Sequence, residues 1–157
     1  MILPIAEKWC PETKSFVFPW GEATLTLEDV MVLLEFSVLG SSVNAPLESS
    51  EMVDSVKKLE RARVEVKGKT NRVSQGSWIR SFFGRGDQFE HEAFLALWIS
   101  YFVFPDKSFS ISRKILPVAV RLARGERIAL APAVLASLYK DLGQLTRGKS
   151  TKSRNLT

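Results

Sequence analysis

The chain has 157 residues, of which 45% are hydrophobic and 25% charged, a single-domain length with ordinary globular composition, which argues against wholesale disorder. Its 22 Lys+Arg against 17 Asp+Glu leave a net charge of +5, mildly basic. A single cysteine, Cys10, and a single histidine, His91, exclude an intramolecular disulfide and any Cys/His zinc site built from one chain.

In chain order, Leu3 to Trp9 reads as a short helix end stopped by Pro11. Ser15 to Phe18 and Ala23 to Thr26 are β-prone runs on either side of Pro19-Trp20-Gly21-Glu22, which predicts a hairpin. Proline fixes the entry to that turn, glycine permits the reversal, and Trp20 is expected to anchor to the core. Thr26 stands three residues before Asp29, a capping-box start. Val30, Leu33, Leu34 and Val38 then follow at helical spacing, so the helix should run about ten residues and end by Gly40. Pro46 and the cluster Glu48-Ser49-Ser50-Glu51 open a further helix with its acids in the first turn and Lys57 and Lys58 behind them. Met52, Val56, Leu59 and Ala62 form its apolar stripe. Lys67 to Gly76 is polar, without periodicity, and reads as loop. Trp78, Ile79, Phe82 and Phe83 form an aromatic cluster, and Gly84 to Asp87 a turn. Gln88 to Phe104 is the strongest helix, apolar nearly all round and so expected to be buried on most sides until Pro105 stops it. Ser112 can cap a helix through Ile115, Val118, Ala119 and Leu122 that ends at Gly125. Pro132 starts the last helix, Ala133 to Leu142, with Gly143 behind it. The predicted fold is mainly α, a helical domain over residues 1–145 with a small N-terminal β-hairpin, followed by a basic disordered tail at 146–157.

Charge is unevenly distributed. Residues 1–56 carry two basic and nine acidic side chains, whereas residues 57–85 carry nine basic and two acidic. The nine cations are Lys57, Lys58, Arg61, Arg63, Lys67, Lys69, Arg72, Arg80 and Arg85. With Trp78, Phe82 and Phe83 nearby, they make a candidate DNA- or RNA-binding segment, cations neutralising phosphates and aromatics stacking on bases. The competing reading is a solvated helix face and loop, because Glu60 and Glu65 interrupt the run. The N-terminus lacks a basic n-region followed by an apolar stretch of signal length. The longest apolar stretch, Ala93 to Phe104, falls short of the roughly 20 residues that cross a bilayer. The expected setting is intracellular, with no membrane partner.

Signatures of catalysis are missing. There is no phosphate-cradling glycine motif, and Gly84-Arg85-Gly86 is better explained as a turn before a helix than as a phosphate site. Glu28/Asp29 and Glu90/Glu92 sit at helix starts, where acids are structural far more often than catalytic. Glu90-His91-Glu92 cannot converge on one metal ion, since adjacent helical residues point about 100° apart. His91 is read as structural, Cys10 as a small hydrophobe. No cofactor and no metal site is expected.

Trp9-Cys10-Pro11-Glu12-Thr13-Lys14-Ser15-Phe16, then Phe18-Pro19-Trp20-Gly21-Glu22 and Thr24-Leu25-Thr26-Leu27-Glu28-Asp29-Val30, closely resemble the plant mobile domain family. Trp9, Pro11, Pro19, Trp20, Gly21 and Asp29 carry the pattern. Ala93 to Trp98, Phe104-Pro105 and Ala133 to Tyr139 resemble its second block, and the chain looks like an N-terminal part of that domain. The resemblance implies a nuclear, transposon-related protein that supports gene or transposon silencing, genome integrity or meristem development, with a serine/threonine phosphatase of the PP7-like type as partner. Cytoplasmic residence is the alternative. Family members are also labelled aminotransferase-like, a label these residues do not support. Pyridoxal-phosphate chemistry needs a Schiff-base lysine, a pyridinium partner and a phosphate cup, and none can be assigned. The expected function is therefore a non-enzymatic interaction module, with direct nucleic-acid binding as the alternative and an enzyme of unknown class as a weak third.

Overall fold

A computed structural model describes the backbone of residues 2–67, 72–105, 108 and 110–153. These residues form a mainly helical fold with a small three-stranded antiparallel sheet near the N-terminus. The chain divides into two compact units, residues 1–38 with 130–157, and residues 39–129.

In the first unit, α1 (Ile2–Ala6) is followed by β1 (Trp9–Cys10), β2 (Ser15–Phe18) and β3 (Gly21–Ala23). Trp9 therefore stands in a strand rather than at the end of a helix, opposite Phe16. It is buried, with its ring 5.0 Å from Phe16 and 5.2 Å from Tyr139. Half-buried Pro11 follows β1 directly. Phe18 pairs with Gly21, so Pro19 and Trp20 form a two-residue reversal, and Gly21 adopts φ +146°. That value lies where a side chain would be strained. The second strand of the hairpin ends at Ala23, earlier than predicted. Trp20 does not anchor to the core. It is 76% exposed and lies flat on Phe18, 4.8 Å between centroids, because a side chain at the tip of a tight hairpin has only its own strand to cover it.

The helix α2 (Leu27–Leu34) starts as expected. The Thr26 hydroxyl accepts from the Asp29 N–H at 3.2 Å, and the Asp29 carboxylate accepts from the Thr26 N–H at 2.7 Å. The Thr26 hydroxyl also donates to the Asp29 carboxylate at 2.7 Å, and that bond first, then the one from the Thr26 N–H, holds the Asp29 carboxyl below its ordinary pKa. Thr26→Ala is expected to lower stability by about 1 kcal/mol, the usual worth of an N-cap, read as a lower urea midpoint at pH 7. An unchanged midpoint would show that the cap is redundant. The helix stops sooner than its periodicity suggests, since Glu35 turns left-handed at φ 56°. Of its predicted stripe only Val30 is buried among the helical residues, and Leu33 and Leu34 are exposed. The last helix, α7 (Leu130–Ser153), passes straight through Gly143 and into the segment expected as a tail. One interior glycine costs a helix about 1 kcal/mol, which weakens it without ending it. Residues 154–157 lie outside the described residues.

The second unit contains α3 (Ser50–Val66), α4 (Gln75–Phe82), α5 (Gln88–Trp98) and α6 (Leu116–Ala123). Ser49 caps α3 through the Met52 N–H, and Val56 and Leu59 are its buried residues. The predicted loop ending at Gly76 is shorter than expected, because α4 begins at Gln75, capped by the Ser74 hydroxyl. Trp78 and Phe82, one turn apart, make its buried face. α5 continues into a π-helical turn, Ile99–Val103, closed by the Phe104 N–H on the Ile99 carbonyl at 2.8 Å. Pro105 disfavours a helical conformation at the residue before it, and Phe104 is non-helical at φ −129°, ψ 65°. After a 3-10 turn, Arg113–Ile115, α6 packs against both α3 and α5 with Leu116, Val118, Ala119 and Val120 buried. No described helix is long and apolar enough to cross a membrane.

Candidate functional site

The helical hairpin of α4 and α5 in the second unit presents an open apolar groove of about 450 Å³. Gln75, Gly76 and Ile79 line it from α4, and Phe94, Leu97, Trp98, Tyr101 and Phe102 from α5 and its π turn. Their spacing explains the groove. Gly76 and Ile79 are three apart, and Phe94, Leu97, Trp98, Tyr101 and Phe102 recur at helical intervals along one face. Two chemically different faces thus share α5: Ala93, Ala96 and Ile99 are buried, whereas Phe94, Tyr101 and Phe102 are more than half exposed. The expectation that this helix is buried on most sides is corrected here. Its apolar circumference covers a core on one side and lines an open groove on the other. Exposed aromatics gathered on one face are the usual mark of a binding surface, whereas single exposed apolar side chains are not.

The hairpin is held together from within. The Trp78 indole N–H donates to the Ala93 carbonyl at 2.8 Å, pinning α4 to α5. Phe82 packs 4.5 Å from Trp78 and 5.3 Å from Phe89. Glu90 folds the connecting turn, its carboxylate accepting from the Gly86 N–H at 2.5 Å and the Gly84 N–H at 2.9 Å. Those backbone bonds, Gly86 first, hold the Glu90 carboxyl below its ordinary pKa. An anion-binding concavity of amides does form at Gly84-Arg85-Gly86, and the protein's own carboxylate fills it. Glu92, two residues on, has a different environment. It is 1% exposed, and burial pushes its carboxyl up despite the Arg124 guanidinium 3.5 Å away. Glu90 and Glu92 therefore serve two separate structural tasks rather than one acid–base pair. His91 is exposed between them.

The nine cations of residues 57–85 are scattered in role. Lys57, Lys58 and Arg61 are exposed on α3, Lys57 with Asp54 at 3.4 Å. Lys57 and Arg61 share a shallow groove with Glu60, Val64 and Glu65, so the surface there is mixed in sign. Arg63 is turned inward and donates to the Ile111 carbonyl at 2.7 Å. Lys67 caps the end of α3, Arg72 is exposed before α4, and Arg80 is exposed on α4. Arg85 lies over the rings of Phe82 and Phe89, 5.7 and 5.6 Å from their centroids, a cation–π contact. Lys69 lies outside the described residues.

Sequence reasoning passed over the most connected charge in the unit. Arg121 is 1% exposed and donates to both carboxylate oxygens of Glu126, at 2.8 and 2.6 Å, and to the Ser41 hydroxyl at 2.6 Å. It also donates to the carbonyl of Ser42 at 2.9 Å and to those of Val43 and Ala45 at longer range. The Ser41 hydroxyl donates to Glu126 in turn. Ser41 pairs with Ile128 in a parallel bridge, and a Cβ on Gly40 would come 2.3 Å from the Arg127 carbonyl oxygen. The guanidinium therefore fixes residues 40–45 onto the end of α6. Its only sequence signal is an arginine on the apolar face of a helix with an acid five residues later. Among the described residues, no group of three or more His, Cys, Asp or Glu is placed to hold a metal ion.

Comparison with known proteins matches the chain to the plant mobile domain over residues 1–156. It is 28% identical over 151 residues to a serine/threonine-protein phosphatase 7 long form homolog of Arabidopsis thaliana, covering 90% of this chain and 11% of that protein. It is 27% identical over 161 residues to the Arabidopsis thaliana protein Maintenance of Meristems, covering 94% of this chain and 33% of that one. The chain thus spans a third or less of the length of these two relatives. No solved structure matches. A match that takes in the Trp9-to-Val30 motifs and the α5 and α7 blocks together makes this chain a member of the plant mobile domain family.

Proposed function

We propose that the chain acts as a non-enzymatic nuclear interaction module, serving transposon or gene silencing, genome integrity or meristem development, with a PP7-like serine/threonine phosphatase as its partner. The supporting observation is the apolar groove of α4 and α5, whose exposed Ile79, Phe94, Tyr101 and Phe102 form a face suited to another protein. One relative is named for meristem maintenance, which motivates the developmental setting, and another is named as a phosphatase 7 long form homolog, which motivates the choice of partner to test. The test is biolayer interferometry of the full chain against a purified PP7-like phosphatase domain. Binding is expected, and Phe102→Asp, a change at an exposed position, should weaken it at least tenfold with helicity unchanged. Absence of binding, or equal binding by the variant, would refute this reading.

A second reading, contact with DNA or RNA, draws on exposed Lys57, Lys58 and Arg61 along α3. It predicts salt-sensitive binding to labelled single- or double-stranded DNA that is lost when these three become glutamate. Glu60 and Glu65 beside them weigh against it.

A further inference from the structure

We propose that Arg85 is a modification site, taking a methyl group on a guanidinium nitrogen from an arginine-directed methyltransferase. The inference is independent of what the α4–α5 groove binds. Arg85 alone among the arginines of the chain has glycine on both sides. Methyl transfer needs the arginine threaded into a narrow enzyme pocket until its terminal nitrogen meets the methyl donor in line, at contact distance. Neighbouring side chains obstruct that approach, whereas glycine lets two backbones come close. The structure adds what the tripeptide by itself does not show. Gly84 and Gly86 adopt φ +85° and +67°, and a Cβ on either would meet nothing within 4 Å. Arg85 is thus exposed on the turn between α4 and α5 with open space on both flanks.

The guanidinium is also lightly held. Among the described residues it makes no ion pair, in contrast to Arg113, Arg121 and Arg124. It rests on the faces of Phe82 and Phe89, 5.7 and 5.6 Å from their centroids, and an exposed contact of that kind is weak. The turn does not have to open for Arg85 to leave, because the Glu90 carboxylate holds it by the amides of Gly84 and Gly86. In the step, a guanidinium nitrogen attacks the methyl carbon of a sulfonium donor, S-adenosylmethionine. The carbon–sulfur bond breaks, its electron pair stays on sulfur as a neutral thioether, and an enzyme carboxylate takes the proton released from nitrogen. The product keeps its positive charge and loses an N–H donor. It can still lie over Phe82 and Phe89, now with an apolar group against the rings, so the mark changes the surface and leaves the fold intact.

The test incubates the folded full chain with S-adenosylmethionine and a methyltransferase that modifies glycine–arginine repeat peptides, one such peptide serving as the activity control. Fragment mass spectra read the methylated positions. Arg85 should be methylated at least tenfold faster than Arg124 or Arg147, each of which has a glycine on one side only. Gly86→Asn should slow Arg85 at least tenfold with helicity unchanged, because asparagine tolerates a left-handed backbone and restores a side chain beside the arginine. Arg85→Lys should take no methyl at this position. An unmodified Arg85 in the folded chain, or one modified only after denaturation in urea, would overturn the proposal by showing that the turn withholds the arginine. Equal rates at Arg85 and Arg147, or an unchanged rate in Gly86→Asn, would overturn it by showing that the flanking glycines confer nothing.

Discussion

Arg121→Ala is expected to lower the unfolding free energy by about 3–5 kcal/mol, the range seen when one member of a buried ion pair is removed. The substitution strands the Glu126 carboxylate, the Ser41 hydroxyl and the carbonyl of Ser42, all of which now point at the guanidinium. It also leaves a void, since Arg121 is among the largest fully buried side chains. Arg121→Lys should recover only part of the loss, because an ammonium cannot reproduce the planar fork that grips both oxygens of Glu126. The same pair makes stability depend on acid. The Arg121 and Ser41 hydrogen bonds hold Glu126 at a pKa of about 2, below its ordinary 4.5. A carboxyl depressed in the folded state contributes stability that is fully present above pH 4.5 and is lost as pH falls towards 2. Allowing for the 26% exposure of the Glu126 side chain, that contribution is about 2 kcal/mol. Urea unfolding at pH 7, 4 and 3 reads both effects. The variant should start lower and lose less between pH 4 and 3 than the wild type. Equal midpoints for the two proteins at pH 7 would show that residues 40–45 are held by something else.

How much of this was legible in the sequence depends on whether the signal was local. The capping box of Thr26 and Asp29 and the opening of α3 in the Glu48-to-Glu51 cluster follow short-range rules, and both were readable from the sequence. The hairpin was readable too, because proline and glycine leave few alternatives at Pro19 to Gly21. α4 was missed at its start, since Gly76 is a poor helix former in its first turn and the packing of Trp78 and Phe82 makes the turn worthwhile. The length of α7 was missed for the opposite reason, in that one glycine was given the weight of a stop. Trp20 and α5 share a further lesson: periodicity says which residues lie together on a face, but not whether that face is covered. The groove therefore could not be read from Phe94, Tyr101 and Phe102, which look like core residues in the sequence. Arg121 is the deepest omission, because its six hydrogen-bond acceptors come from residues 41–45 and 126, and only the fold brings those together around a helix-borne arginine.

Trp78→Ala is expected to lower stability by about 3–5 kcal/mol, the usual range for removing a buried tryptophan, and to abolish partner binding at the groove. Trp78 is 1% exposed and acts in two ways, by its buried ring, 4.5 Å from Phe82, and by its indole N–H on the Ala93 carbonyl of α5. Trp78→Phe separates them. It keeps most of the apolar contact and deletes the hydrogen bond, so it should cost about 1–2 kcal/mol, with partner affinity reduced less than by Phe102→Asp. The ordering is what matters, because Phe102 is exposed and its loss should leave stability nearly unchanged. Stability and binding should therefore respond independently. Phe102→Asp weakens binding with little change in the urea midpoint, Trp78→Phe lowers the midpoint more than the affinity, and Trp78→Ala lowers both. If Trp78→Ala were folded at pH 7 and bound the phosphatase as the wild type does, the α4–α5 hairpin would not be the docking element. If Phe102→Asp instead proved as unstable as Trp78→Ala, the groove face would be core, and its exposed aromatics would have a structural task.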